Sequence, residues 1–405
     1  MILQGANIVL GVSGGIACYK AVDLCSKLVQ AGAGVDVVMT EAATQFVTPL
    51  PFQTLTKRPV ALDMFQLLRD VDMAHISLSQ KADVLVIAPA TANTIAKMAF
   101  GLADNLLTST VLATTAPLVI APAMDADMWA NPVTQQNTET LRQRGARVVG
   151  PGQGRLASGR IGAGRLVSTE EILAAIRQTL GRNGPLAGRR VTITAGGTQE
   201  PIDPVRHVTN RSSGRMGYAL AEAARDAGAR VTLISAPTCL PAIYGTEMVS
   251  VRTAAEMHEA VMAYRKQTDI LIMAAAVADY CPASTAEQKI KKGEGGLTLQ
   301  LERTVDILSA VAEARTDGMP GLVVGFAAET ENLLTNARDK LIRKKLDLMV
   351  ANDVSSADSG FEVESNRVTL LTPDGEEKAL PLMSKFQVAE QVVNRVAAIW
   401  RERYD

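Results

Sequence analysis

The run from Val191 to Gly217 constrains the fold of this chain more than any other segment. It reads Val-Thr-Ile-Thr-Ala-Gly-Gly-Thr-Gln-Glu-Pro-Ile-Asp-Pro-Val-Arg206, and resumes as Asn210-Arg-Ser-Ser-Gly-Arg-Met-Gly217. A β-branched strand, Val191–Thr194, enters paired glycines. A polar loop follows, and a second glycine-bearing turn opens a helix at about Met216. Paired glycines after a strand let backbone N–H groups approach a phosphate, and a helix N-terminus adds partial positive charge. Dinucleotide turns are compact Gly-x-Gly-x-x-Gly loops. This loop is much longer and carries Asp203, Arg206 and Asn210 beside the expected phosphate position, which favours a nucleotide-consuming enzyme over a hydride carrier. A second strand–Gly–Gly–helix unit, Gly11-Val-Ser-Gly-Gly-Ile-Ala-Cys-Tyr-Lys20, follows Ile8–Leu10. Two different nucleotide sites are therefore expected.

Strand candidates in the first half are Ile8–Leu10, Val35–Met39, Val84–Ile87, Leu118–Ile120 and Arg147–Val149, with helical patterns such as Ala21–Gln30 and Thr91–Met98 between them. The alternation restarts with Val191–Thr194, Val231–Ile234, Ile270–Ala274, Leu322–Gly325 and Leu348–Ala351, and Val368–Leu371 reads as part of a terminal hairpin. This pattern predicts an α/β chain of two domains, each a mainly parallel doubly wound sheet. The Gly/Asn/Pro-rich stretch Arg182–Gly188 marks the boundary, giving domains 1–183 and 184–405, and 405 residues is long for one core. The loops Ala283–Gly296 and Ser355–Asn366 are long enough to be functional lids. The net charge of −1 without a long basic run points away from nucleic acid and from anionic membranes. Four scattered cysteines without a C-x-x-C pair argue against a zinc site or a disulfide framework and for a reducing cytoplasm. No stretch of about 18 apolar residues is present, so a soluble cytoplasmic protein is expected.

In the first half, Ser13, Gly14 and Gly15 read either as a phosphate cradle or as a plain βα turn. Ala88-Pro-Ala-Thr-Ala-Asn-Thr94 and Gly101-Leu-Ala-Asp-Asn-Leu-Leu-Thr108 put small and amide residues at the carboxyl edge of the sheet, where α/β ligands bind. His75, in Asp72–Leu78, reads locally as a surface or capping residue, and Pro122-Ala-Met-Asp125 as a turn.

Taken together these segments resemble the flavin-dependent decarboxylases that act on peptidyl or pantothenoyl cysteine. The second half resembles phosphopantothenoylcysteine synthetase. The order and spacing are those of the bifunctional synthetase/decarboxylase family of coenzyme A biosynthesis, and the resemblance covers nearly the whole chain. It implies that the first domain binds FMN, with Ser13, Gly14 and Gly15 near the phosphate and Thr40, Thr91, Ala92 and Asn93 lining the site. It implies His75 as catalytic base, and Met124, Asp125 and Arg165 in contact with substrate. A cysteine carboxylate does not lose carbon dioxide readily, and the cofactor supplies the electron sink. Two positions depart from the family pattern. Asp125 stands where an asparagine is usual, and an ionised aspartate would repel the substrate carboxylate unless protonated, paired or turned away. Ser158, in Ala157-Ser-Gly159, stands where a cysteine is the expected proton donor, and a hydroxyl is a far poorer acid than a thiol.

For the second domain the resemblance implies CTP-dependent ligation of cysteine to 4'-phosphopantothenate through an acyl-cytidylate. Such a site needs Mg2+, lysines and backbone amides against the phosphate charge. Ala274, Ala275, Ala276 and Asp279 would hold the nucleotide, with Thr304, Val305, Asp306 and Ile307. Asn210 would touch the acyl-cytidylate, Lys289 would reach the α-phosphate, and Phe326, Lys340 and Lys344 would grip the triphosphate. The lysine runs read equally as solvated faces. The metal ligands are not assigned. Implied too is a homo-oligomer, with trimeric flavin domains and dimeric synthetase domains in a dodecamer. Alternatives are an active synthetase joined to an oxidative-only or inactive flavin domain, a flavin-binding regulatory subunit, or an NAD(P) oxidoreductase. The last would want an acidic residue ending strand two. The second domain has Ile234-Ser-Ala-Pro there, and the first has the ambiguous Met39-Thr-Glu41.

Overall fold

The structure, a computed structural model, describes residues 2–64, 73–292, 296–329, 333–353 and 364–404. Asp72, Thr330 and most of the expected lid at 355–366 lie outside the described residues. The chain divides into two compact units, Met1–Gly181 and Arg182–Asp405.

In the first unit β1 (Asn7–Val12), β2 (Gly34–Met39), β3 (Val84–Ala90), β4 (Leu118–Pro122) and β5 (Arg147–Val148) form one sheet in the order β2-β1-β3-β4-β5. All four pairings are parallel. Continuous apolar runs rather than alternation explain this. Every residue of β3 is buried, as a strand covered by helices on both faces requires. The strand order reverses between β1 and β3, so the carboxyl ends of these two strands open a crevice. A short antiparallel hairpin, β6 (Gly152–Arg155) and β7 (Ile161–Arg165), follows the sheet.

The second unit repeats the logic. Its sheet contains β8 (Arg190–Ala195), β11 (Arg230–Ser235), β12 (Glu247–Ser250), β13 (Ile270–Met273), β16 (Leu322–Glu329), β17 (Leu348–Asp353), β19 (Val368–Leu371) and β20 (Glu377–Ala379). The order is β12-β11-β8-β13-β16-β17-β19-β20, parallel except for the last two strands. Successive residues of the strands feed opposite cores. Leu233, Ile270 and Ile272 pack with helices Arg215–Asp226 and Lys385–Tyr404. Ile234 and Leu271 pack with helices Ala254–Tyr264, Ile307–Ala314 and Leu333–Arg343 on the other face. The reversal point lies between β8 and β13. Small two-stranded ladders sit beside the sheet: β9 (Gln199–Pro201) with β10 (His207–Thr209), β14 (Tyr280–Pro282) with β15 (Leu301–Arg303), and β18 (Ser365–Asn366) with β21 (Met383–Ser384).

The expected strands are present, most within a residue or two of their predicted ends. β12 and the ladders beside the sheets are not legible in the sequence, because runs of two to five residues are too short to show a hydrophobic period. Among the described residues no helix is long and apolar enough to cross a membrane.

Candidate active sites

At the first crevice, Ser13 is fully buried. Its hydroxyl donates to Pro89 O at 2.7 Å and accepts from Thr91 N at 3.0 Å. Ser13 thus stitches the end of β1 to the end of β3 and spends its side chain inside the turn. Gly14 and Gly15 follow it, and helix Cys18–Gln30 begins three residues beyond Gly15. Gly14 has no room for a side chain, since a Cβ would lie 2.6 Å from the Ala42 carbonyl carbon. A Cβ on Gly15 would meet only Thr91 Cγ2, at 3.7 Å, so this backbone borders open space. Thr40 and Thr91 cap the helices Glu41–Thr44 and Ala92–Phe100, accepting from Ala43 N and Thr94 N at 3.3 Å. Ala92 and Asn93 form the first turn of the second of these helices. The residues expected to line the phosphate are therefore gathered at the strand-order reversal.

His75 lies in the first turn of helix Ala74–Lys81, half-buried. Its Nδ1 is buried without a hydrogen-bond partner among the described residues. A buried ring nitrogen without a partner carries a desolvation cost of about 1–3 kcal/mol, which an ordered water or a bound ligand would relieve.

The hairpin β6–β7 is docked on the loop after β4. Met124 N donates to Gly164 O at 2.9 Å, and Gly164, at φ +153°, approaches Met124 O so closely that no Cβ fits. The two positions that depart from the family pattern touch each other. The Ser158 hydroxyl donates to Asp125 Oδ2 at 2.5 Å. Asp125 also caps helix Ala126–Ala130, accepting from Asp127 N at 3.2 Å. The Ser158 hydroxyl, then the Asp127 amide and the charge of Arg160, hold the Asp125 carboxyl below the usual carboxylate range. Asp125 is thus ionised and paired with its own flap. Arg160 forms an ion pair with Asp127. Arg165 lies exposed at the end of β7, where it and burial lower the Lys20 ammonium, burial being the larger cause.

In the second unit a cavity of about 690 Å3 lies at the reversal between β8 and β13. Of the expected residues, Asn210, Ala274, Ala275, Ala276, Asp279, Thr304, Val305, Asp306, Ile307, Phe326 and Lys344 line it, together with Ser212–Gly217. Backbone braiding sets the Ala274–Asp279 wall. Ala275 N donates to Thr194 Oγ1, Ala276 N to Gly196 O and Ala278 N to Thr198 Oγ1, at 3.1, 2.8 and 2.9 Å. The Asn210 amide donates to Ala276 O and Val277 O at 3.3 and 3.2 Å. Thr304 joins the same wall, donating from its hydroxyl to Ala278 O at 2.6 Å. Lys344 faces Asp306 at 2.9 Å. Burial raises the Asp306 carboxyl, but Lys344 and the Ser309 amide outweigh it and keep it below the usual range.

Arg206, Lys289 and Lys340 are not among the cavity-lining residues. Asp203, expected beside the phosphate, is buried instead beneath the loop. It accepts from Val205 N and Arg206 N at 2.8 Å, from Arg206 Nε at 3.0 Å and from Ile290 N at 3.1 Å. The Arg206 guanidinium is the main reason its carboxyl sits far below the usual range. Arg206 in turn donates to Ile290 O at 2.9 Å. A carboxylate satisfied by its own loop and by the amide of Ile290 is an anchor, and these contacts hold the segment that carries exposed Lys289. Asp203→Asn should therefore leave the fold of the sheet intact and speed amide exchange across residues 284–292. Unchanged exchange there would refute the anchor.

Tyr280, Arg303, Asn352, Asn366 and Lys385 also line the cavity. Only tertiary packing brings these residues to the glycine loop, and none sits in a motif that the sequence alone makes visible. Among the described residues no group of three or more His, Cys, Asp or Glu side chains could hold a metal ion. Asp279 is the acidic wall residue without the lysine partner that Asp306 has, and one or two carboxylates with substrate phosphates are the usual Mg2+ environment.

Comparison with known proteins accounts for both units. The family described as "Flavoprotein" matches residues 2–181, and the family described as "DNA/pantothenate metabolism flavoprotein C-terminal domain" matches residues 186–399. The chain is 47% identical to the coenzyme A biosynthesis bifunctional protein CoaBC of Bacillus subtilis (strain 168), over 99% of this chain and 98% of that protein. It is 46% identical to the protein of the same name from Mycobacterium tuberculosis (strain ATCC 25618 / H37Rv), over 96% of each. The crystal structure of the C-terminal domain of a CoaBC protein superposes with a TM-score of 0.47 at 40% identity, covering 54% of this chain and 99% of that one. The chain belongs to the family of coenzyme A biosynthesis bifunctional proteins, enzymes that join a flavoprotein decarboxylase domain to a synthetase domain.

Proposed function

We propose that this enzyme makes 4'-phosphopantetheine in two steps, the second unit ligating cysteine to 4'-phosphopantothenate with CTP and the first decarboxylating the product with FMN. The observation that carries this reading is the presence of two separate reversal-point sites in one chain that matches bifunctional relatives over nearly its whole length.

In the second unit the carboxylate of 4'-phosphopantothenate attacks the α-phosphate of CTP, releasing pyrophosphate, and the cysteine amine then displaces CMP from the acyl-cytidylate. The wall Ala274–Asp279 and the segment Thr304–Ile307 hold the nucleotide. Asn210 contacts the acyl-cytidylate from its seat on Ala276 and Val277. Lys289 reaches the α-phosphate from the loop pinned at Ile290, while Lys344, Lys340 and Phe326 restrain the triphosphate. Mg2+, when bound with the nucleotide, would neutralise charge on the phosphates, and Asp279 contacts the nucleotide.

In the first unit FMN, when bound, supplies a two-electron sink and later returns the electrons. The open backbone at Gly15 and the unpartnered Nδ1 of His75 suit such a ligand. Gly14 and Gly15 offer amides to its phosphate, Thr40 and Thr91–Asn93 enclose it, and His75 takes the substrate proton. Met124, Asp125 and Arg165 position the substrate under the hairpin. The site is completed in a homo-oligomer, trimeric in the flavin units.

A second reading, an oxidative-only first unit, draws on one specific contact. The Ser158 hydroxyl already donates its hydrogen bond to the Asp125 carboxylate, which leaves a weak acid weaker still. The deciding experiment is mass spectrometry of the product formed from 4'-phosphopantothenoylcysteine. Saturated 4'-phosphopantetheine supports the full cycle through Ser158, and a product two hydrogens lighter supports the second reading. With the full cycle, Ser158→Ala should keep carbon dioxide release and cut the saturated product by about tenfold or more. An unchanged product ratio would remove Ser158 from the reaction.

A further inference from the structure

The wall of the second cavity leaves the sheet before it reaches the ligand position. β13 ends at Met273, and beyond it an isolated bridge, Gly197 with Ala276, joins the wall to the segment after β8. Ala278 belongs to no strand, yet it is buried. A buried amide and carbonyl outside a sheet need other partners. Two threonine hydroxyls supply them. Thr198 Oγ1 accepts from Ala278 N at 2.9 Å, and Thr304 Oγ1 donates to Ala278 O at 2.6 Å.

The next residue is Asp279, which is exposed and lines the cavity. Both peptide units that flank it are fixed. One is held through Ala278 O, and the other through Asp279 O, which accepts from Thr304 N at 3.0 Å. Side-chain direction follows backbone conformation, so the Asp279 carboxylate takes its aim from this clamp.

Thr198 is the more constrained jaw. It is fully buried and is not among the cavity-lining residues. Besides its hydroxyl, its N donates to Ala276 O at 3.2 Å and its O accepts from Thr209 Oγ1 at 2.7 Å. One residue thus ties the glycine loop to the wall and to β10. Valine has nearly the same outline as threonine, but it would leave Ala278 N buried without its acceptor. A hydroxyl at this position is therefore explained by the wall and not by packing.

We propose that Thr198, with Thr304 as the opposing jaw, is a positioning residue of the ligase site, holding Ala278 so that the Asp279 carboxylate faces the nucleotide. The inference rests on the ligase reading, and Thr198 acts through Asp279 without touching a substrate.

The test uses the full-length protein and two measurements. The first is CMP release over a range of CTP concentrations. Thr198→Val should lower kcat/KM for CTP by about 10- to 100-fold, the effect of a small displacement in a binding element. Thr198→Ser keeps the acceptor and should recover most of the loss, and equal losses in the two variants overturn the proposal. Decarboxylation by the first unit should not change, which shows that the chain is folded. Asp279→Asn separates positioning from general loosening. If Thr198 acts through Asp279, the double variant Thr198→Val/Asp279→Asn should be no worse than Asp279→Asn alone, because the two residues form one unit. Losses that multiply, or wild-type ligation by Asp279→Asn, overturn the link to Asp279. The second measurement is amide exchange at Ala278, which should be about tenfold faster in Thr198→Val and close to wild type in Thr198→Ser. Unchanged exchange in Thr198→Val overturns the clamp whatever the activity. If the wild-type protein releases no CMP from CTP with 4'-phosphopantothenate and cysteine, it is the ligase reading that fails, and the exchange at Ala278 still decides the clamp.

Discussion

Replacing His75 with asparagine should lower decarboxylation of 4'-phosphopantothenoylcysteine by about 10²- to 10⁴-fold, the usual contribution of a positioned base. Ligation of cysteine to 4'-phosphopantothenate should stay within about twofold of wild type, on the scale where 1.4 kcal/mol is tenfold, because His75 belongs to the first unit and the ligase cavity to the second. The reasoning is local. His75 begins a helix, is half-buried, and has a buried Nδ1 without a partner among the described residues. A histidine kept only for packing would be expected to satisfy that atom. Asparagine fills much of the same space and keeps hydrogen-bonding capacity, but it cannot accept a proton near neutral pH. Two assays on one preparation read the outcome, carbon dioxide release for the first unit and CMP release for the second. Full decarboxylation by the variant would reduce His75 to an ordinary first-turn residue and would move the search for the base elsewhere on the crevice.

The second large effect is expected from Gly217→Ala. Gly217 sits in the first turn of helix Arg215–Asp226, directly over β8. A Cβ added there would lie 2.5 Å from Ala195 Cβ, 2.8 Å from Thr194 O and 2.9 Å from Ala195 Cα. Two of these three atoms are backbone, and the third is a methyl that has no other rotamer. The helix has to move. Overpacking of this kind costs about 1–3 kcal/mol. The movement also shifts the Ser212–Gly217 wall of the cavity, and a displacement of about 1 Å in a binding element is enough to lose about 10²-fold in rate. The expected result is a lower melting temperature for the second unit, ligation reduced by about 10²-fold, and decarboxylation unaffected. Wild-type ligation in this variant would show that the glycine is there for some reason other than close helix–strand approach.

These two residues also show what sequence reading reaches and where it stops. Gly217 closes the glycine-bearing run quoted from the sequence, which gives it no role of its own, and the structure adds the contact that makes it necessary. His75 was marked only by resemblance. Its local sequence reads as a surface residue, and the buried Nδ1 becomes visible only when helix Ala74–Lys81 is packed. The loop residues Asp203 and Arg206 went the other way. Their charges suggested a phosphate site, but pairing within three residues of the chain satisfied them first, and they became the anchor of the Ile290 segment. Asp125 and Ser158 appeared in the sequence as two separate departures, and packing of the hairpin joined them into one hydrogen bond.

By itself, the sequence determined the fold class and the position of both crevices. Apolar runs buried on both faces demand parallel strands covered by helices, and paired glycines at a strand end leave few conformations for the turn that follows. It could not determine which charged side chains face the cavities. Lys289 and Lys385 are alike in the chain, each a lysine beside a turn, and yet one is exposed on a loop and the other is 6% exposed in a cavity wall. That difference arises because Lys385 begins a helix whose apolar face, from Val388 to Trp400, has to dock on helix Arg215–Asp226. The hydrophobic docking of the helix carries its first residue to Arg215, and only tertiary packing decides where a charge attached to such a helix comes to rest.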